Sequence, residues 1–199
     1  MNELPLRNDG LVLRVVEQDD MMKLYELIYS DDDPEWKKWD APYYPLEPVH
    51  YDQYEHNTHA RLKADQKAGR PESIRVIEVD GEILGMISYY IEDPLSMWLE
   101  MGIIIYKPAR WGRGIGTRSL HMWSSHLFEH MPIVRVGLTT WSGNERMIGA
   151  AAKIGLQIEG RMRKCRVVHG KYYDSIRMGM LREEWEQKRS GETDGNVYN

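Results

Sequence analysis

What this sequence lacks narrows it first. A single cysteine, Cys165, in 199 residues excludes an internal disulfide framework and a cysteine-only zinc site, and it suits a reducing compartment. No apolar run approaches the roughly 18 residues that a membrane span needs. The opening stretch MNELPLRNDG has no basic segment followed by an apolar one, so no signal peptide is expected and the expected location is cytoplasmic. Positive charge is not in excess either. The formal net charge of −5 argues against general nucleic-acid binding, which relies on Lys and Arg to neutralise phosphates. It is compatible with drawing in a cationic substrate such as an amine.

The chain is otherwise ordinary for a globular protein, with 42% hydrophobic and 29% charged residues. Its length suits one domain, expected over 1–188. The polar run RSGETDGNVYN over 189–199 reads as a tail. LVLRVV alternates apolar and polar residues and predicts a strand over 11–16. Met21, Leu24, Leu27 and Ile28 follow Asp19 and Asp20 and predict a helix. The proline- and aromatic-rich segment SDDDPEWKKWDAPYYPLEP predicts a structured loop. A second helix is expected over 49–67, then a hairpin around Asp80-Gly81 and a strand over 97–106. A helix over 114–130 and a strand over 133–141 follow. SGNE, over 142–145, reads as a capping box opening a helix that closes at Gly155, and two last strands flank the turn HGK. This order makes one α/β (α+β) domain with a mixed sheet and helices on both faces.

The chemistry-bearing stretch is KPARWGRGIGTRSL, over 107–120, with glycines at 112, 114 and 116. Glycine permits positive φ and close approach to the backbone. At a helix start the N–H groups lack intrahelical partners and the macrodipole is positive, so phosphate or pyrophosphate is favoured there. Arg110, Arg113 and Arg118 add positive charge nearby. A tight turn with helix-packing glycines and solvated arginines would give the same pattern. A phosphate-binding Walker loop would need Gly-Lys-Ser/Thr, and Thr117 follows Gly116 instead. A dinucleotide fingerprint would put a third glycine at Thr117, in the first strand-helix unit.

WLEMGIIIYKPARWGRGIGTRSL resembles motif A of the GNAT family of N-acetyltransferases, with Gly114 and Gly116 at the last two signature positions. Trp111 stands where the signature has Gln or Arg, as is familiar in the RimJ/RimL-like branch. WSGNERMIGAAAKIGLQIEGRMR is similar to a second motif of that branch through Asn144, Lys153, Gly155, Glu159, Gly160 and Arg163. HGKYYDSIRMGML is similar to its ending through Gly170, Tyr173 and Asp174. The resemblance implies a seven-stranded, mostly antiparallel sheet, splayed between the fourth and fifth strands by a bulge in the fourth. It implies acetyl-CoA as donor and no metal. Ile103, Ile104, Ile105 and Tyr106 would pair with the pantetheine as an added strand does. Trp111, Gly112, Arg113, Gly114, Ile115, Gly116 and Thr117 would seat the pyrophosphate. Asn144 would contact the donor or a bound water, with helix capping as the equal alternative.

The resemblance carries the acceptor side less far. A helical Tyr about two residues before Lys153 is absent, Met147 replaces a Ser, and Arg166 replaces a Glu. Glu100 remains as a base acting through water, or else as a structural carboxylate paired with an arginine. Tyr172 or Tyr173 would serve as an acid only by facing the cleft, and strand alternation allows one of them to do so. Trp36, Trp39 and Tyr43, beside Asp31–Asp33 and Asp40, suit a cationic amine or form a hydrophobic clasp. The expected activity is acetyl transfer to a primary amine, a small molecule ahead of a protein N-terminus. The alternatives are a non-catalytic acyl-CoA-binding module and a nucleotide-binding regulator. The expected partners are acetyl-CoA and an amine, with no nucleic acid and no membrane, and the resemblance admits a homodimer.

Overall fold

The computed structural model describes residues 4–194, with side chains described to residue 191. Eight strands form one sheet in the order β1-β2-β3-β4-β5-β6-β8-β7. They are β1 Leu6–Asn8, β2 Leu11–Val15, β3 Ile74–Val79, β4 Glu82–Asp93, β5 Trp98–Ile105, β6 Arg135–Trp141, β7 Gln157–Val168 and β8 Lys171–Leu181. Five helices accompany them: α1 Met21–Tyr29, α2 Tyr51–Ala68, α3 Ile115–His130, α4 Glu145–Ile154 and α5 Arg182–Asp194. Every neighbouring pair is antiparallel except β5–β6, which is parallel.

Two elements exceed the sequence expectation. Strand β1 has three residues and no apolar alternation, and it exists because the Asp9–Gly10 turn folds it back onto β2. It makes the sheet eight-stranded rather than seven-stranded. Helix α5 crosses the expected boundary between 188 and 189, so the described part of the 189–199 run is helical up to Asp194. Its polar composition conceals a single apolar anchor. Trp185 stacks on Phe128 at 5.2 Å and donates to Ser125 Oγ at 3.1 Å. Arg182 donates to the carbonyls of Met131 and Ile133.

The sheet divides two cores. On one face Leu120, Trp123, Leu127 and Phe128 of α3, with Ala151 and Ile154 of α4, bury against Leu99, Met101, Val136, Leu138 and Met178. On the other face Met21 and Leu24 of α1 pack with Val76, Ile83, Tyr106 and Trp36.

The parting occurs inside the one parallel pair. Strands β5 and β6 share three register pairs, ending at Glu100↔Gly137, and then diverge. The resemblance attributes this splay to a bulge, but β5 keeps an unbroken register with β4 from Leu99↔Ile91 to Ile105↔Gly85. What stands at the fork is a buried acid opposite a glycine. A Cβ on Gly137 would lie 2.7 Å from Glu100 Oε1, so the carboxylate fills the space that a side chain at 137 would need.

Candidate active site

The diverging ends of β5 and β6 enclose a cleft of about 480 Å³, bordered by the starts of α3 and α4 and by the loop around 36–43. Its size lies within the range of small-ligand sites. Hydrogen-bonded residues alternate along an antiparallel strand. The Tyr106 N–H donates to Leu84 O at 2.8 Å, so Ile104 and Tyr106 spend their backbone groups on β4, and Ile103 and Ile105 turn theirs toward the cleft. Of the four residues expected to offer backbone here, two do. Ile105 O already accepts from Trp111 Nε1 at 2.9 Å, which, among the described residues, leaves the Ile103 N–H and C=O and the Ile105 N–H open.

Helix α3 starts beside this edge. Gly112 and Gly114 both hold φ 74, and a Cβ on either would meet nothing within 4 Å. Glycine is therefore required there by backbone conformation rather than by crowding. Among the described residues no hydrogen bond is made by the N–H groups of 112–117, the first bond of the helix being Arg118 N–H to Gly114 O. Gly112, Gly114, Ile115, Gly116 and Thr117 of this run line the cleft and Arg113 does not, so the positive end of the helix and its unpaired donors stand at the cleft border. Ile115 is buried and anchors the turn, while Gly116 and Thr117 line the cleft. The basic side chains contribute less than their number suggests. Lys107 and Arg110 are paired with Glu82, and Arg118 donates to the carbonyls of Asn8 and Asp9. Arg113 is exposed and makes no ion pair among the described residues.

The opposite wall is built from side chains. Trp36 meets Tyr106 edge-on at 5.3 Å, and Trp39 meets Trp111 edge-on at 6.3 Å. The Arg146 guanidinium lies over both Trp39 and Trp111, 4.2 and 4.8 Å from the ring centroids. The loop is tied down through one carbonyl: Trp39 O accepts from Trp141 Nε1 and Asn144 Nδ2, both at 3.0 Å. Among the described residues, Trp36 Nε1 and Trp39 Nε1 are buried donors without acceptors. Tyr43 lines the cleft and carries the Arg166 guanidinium 4.5 Å above its ring. Asp40 also lines the cleft. Loss of hydration raises its carboxyl pKa above the ordinary carboxylate range, and the positive charge of Lys37 partly opposes that.

Asn144 caps α4, its Oδ1 accepting from the Met147 N–H at 3.1 Å. With Nδ2 on the Trp39 carbonyl, both ends of the amide are engaged. The capping box expected over 142–145 is not the cap; Ser142 Oγ instead accepts from the Asp174 N–H at 2.9 Å.

Glu100 sits at the closed end of the fork, 2% exposed. Its carboxylate accepts from Thr139 Oγ1 at 2.9 Å and Trp98 Nε1 at 3.2 Å, so its hydrogen-bond partners are a hydroxyl and an indole rather than the arginine expected. Burial raises its pKa, and Thr139, Arg177 and Trp98 act against that shift. Tyr172 is exposed, and Tyr173 packs edge-on to Trp141 at 4.8 Å; neither lines the cleft. Glu159 is held by Arg135. Arg146, Thr139 and Trp141 escaped the sequence reading because nothing in their local spacing marks them; distant segments bring them to the fork.

The family model of the acetyltransferase (GNAT) domain matches residues 10–157. The "Putative ribosomal N-acetyltransferase YdaF" of Bacillus subtilis (strain 168) is 31% identical over 110 residues, which are 55% of this chain and 60% of that one. The match thus spans about three fifths of that relative. A solved structure described as a probable acetyltransferase superposes with a TM-score of 0.74 at 25% identity, over 92% of this chain and 99% of the other. A spermidine N-acetyltransferase from Vibrio cholerae, solved with CoA and spermine, superposes with a TM-score of 0.69 at 18% identity, over 90% and 99% of the two chains.

Proposed function

The chain belongs to the GNAT acetyltransferase family, and from that premise we propose that it moves the acetyl group of acetyl-CoA directly onto a primary amine in a ternary complex. The observation that carries this reading is the fork. An extended, amide-bearing donor arm would add to the open edge of β5 through Ile103, as a peptide adds to a sheet edge. Its pyrophosphate would meet the unpaired N–H groups of 112–117. The residues fit such a ligand: a methyl group on Gly112 or Gly114 would meet nothing within 4 Å, and no acidic side chain borders the opening on the α3 side. That the Vibrio cholerae relative is solved with CoA is in keeping with this.

In the reaction the amine nitrogen attacks the thioester carbon, the C–N bond forms, and the C–S bond breaks with sulfur leaving as the thiol. The Ile103 N–H is the donor we assign to the developing oxyanion. We assign Glu100 the task of holding the fork open, because both its oxygens are engaged at the closed end.

A small-molecule acceptor is favoured over a protein N-terminus. The tie from Trp39 O to Trp141 and Asn144 fixes the aromatic loop that borders the cleft, and a fixed border suits a small amine. Calorimetric titration with acetyl-CoA and a thiol-release assay over primary amines test the reading. Micromolar binding and amine-dependent release are expected. Binding with no release on any amine would favour the non-catalytic acyl-CoA-binding module, and tighter binding of ATP than of CoA would overturn the donor assignment.

A further inference from the structure

We propose that Asp40 holds the ammonium group of the acceptor and receives the proton that it must lose before attack. This rests on the acetyl-transfer reading above and names the group that reading leaves unassigned. The carboxylate lies in the same cleft as Gly102, Ile103 and Thr139, where β5 and β6 part. Among the described residues no side chain donates a hydrogen bond to it. Lys37, its nearest cation, instead donates to the backbone carbonyls of Asp40 and Ala41, at 2.6 and 3.1 Å. Asp40 shares the cleft with Trp36, Trp39 and Tyr43; Arg146 and Arg166 already lie over the Trp39 and Tyr43 rings, so it is the charge of the carboxylate that would recognise a small organic cation.

Its surroundings also suit proton transfer. Asp40 is exposed to water, so a proton taken from the amine has a way out. The ammonium gives one proton to the carboxylate. After attack the nitrogen gives its second proton to the departing sulfur, and Asp40 returns the first to solvent. The charged and titratable groups that bear on it are Lys37 of its own loop, Tyr43, Tyr106 of the segment after β5, and Glu145 and Arg146 across the cleft, with Arg166 of β7 acting through Tyr43. Ionised Asp40 is the competent form, so lowering the pH through its raised pKa should weaken acceptor use.

The test compares the full-length wild type with Asp40→Asn and Asp40→Glu, assaying thiol release with phenethylamine, spermidine and a peptide with a free N-terminus. At pH 7 Asp40→Asn should lower kcat/KM for whichever amine reacts by on the order of 100-fold, while Asp40→Glu restores part of the loss. The deficit should shrink as the pH approaches the pKa of the amine, because the free base no longer needs a proton acceptor. The Kd for acetyl-CoA should stay within about twofold, since the assigned role lies on the acceptor. A wild type that binds acetyl-CoA and releases no thiol with any of the three overturns the transfer reading and this inference with it. Release that Asp40→Asn leaves unchanged, or lowers equally at every pH, overturns the inference alone. A lost affinity for acetyl-CoA in Asp40→Asn also overturns it, since the carboxylate would then act on the donor.

Discussion

The two walls of the cleft are made by different means. The β5–α3 wall offers backbone, from the open edge at Ile103 and the free N–H groups of 112–117. The wall formed by the 36–43 loop, Trp141 and Arg146 offers side chains, locked by hydrogen bonds to one carbonyl and by stacked rings. Backbone recognition needs only the right local conformation, which a short run with glycine at positive φ can supply. Side-chain recognition needs segments about a hundred residues apart to arrive together, as Trp39 and Asn144 do. Donor and acceptor recognition should therefore fail separately when either wall is changed.

The sharpest break is Gly116→Leu. This glycine has no positive φ, and a Cβ there would lie 3.8 Å from Ile105 Cδ1, so the new side chain enters the cleft without backbone strain. Calorimetry should show acetyl-CoA affinity falling about 100-fold or more as the seat fills, with an unchanged melting temperature. Unaltered affinity would dissolve the distinction between the walls.

Asn144→Ala should trouble both, because one amide caps α4 and ties the loop. We expect a stability loss of about 1 kcal/mol by urea denaturation, the usual cost of a lost cap, with kcat/KM for the acceptor falling further than the Kd for acetyl-CoA rises. Arg146→Met removes the cation between Trp39 and Trp111. At this exposed site the change should cost about 0.5–1 kcal/mol, read as a few-fold rise in acceptor KM.

The smallest effect concerns the fork. Burial raises the Glu100 pKa in the folded state, so between the ordinary and raised values the native protein binds more protons than the unfolded chain. Stability from this group is fullest below the ordinary carboxylate value and declines as pH rises through the window. The stability of wild type relative to Glu100→Gln, measured by urea denaturation, should accordingly be greater near pH 4 than near pH 7. A pH-independent difference would show that Glu100 holds the fork without titrating.

Much of the framework was legible because periodicity is local. The Asp80-Gly81 hairpin, the amphipathic α3 and the closure of α4 at Gly155 all stand where the sequence predicts them. Strand β1 and helix α5 were not legible. One is too short to alternate, and the other has a single large anchor in Trp185. The glycine run pointed to a helix start with free N–H groups, although the arginines around it are largely engaged elsewhere.

The sequence by itself pointed to the family and to most of the sheet-and-helix order, since a conformation written into a few adjacent residues does not depend on what packs nearby. Only the tertiary structure decided that Glu100 belongs to the fork, that Asn144 ties the 36–43 loop as well as capping its helix, and that Asp40 borders the same cleft as Trp36, Trp39 and Tyr43. Those roles come from distances between residues far apart in the chain, and it is folding that brings them within reach of one another.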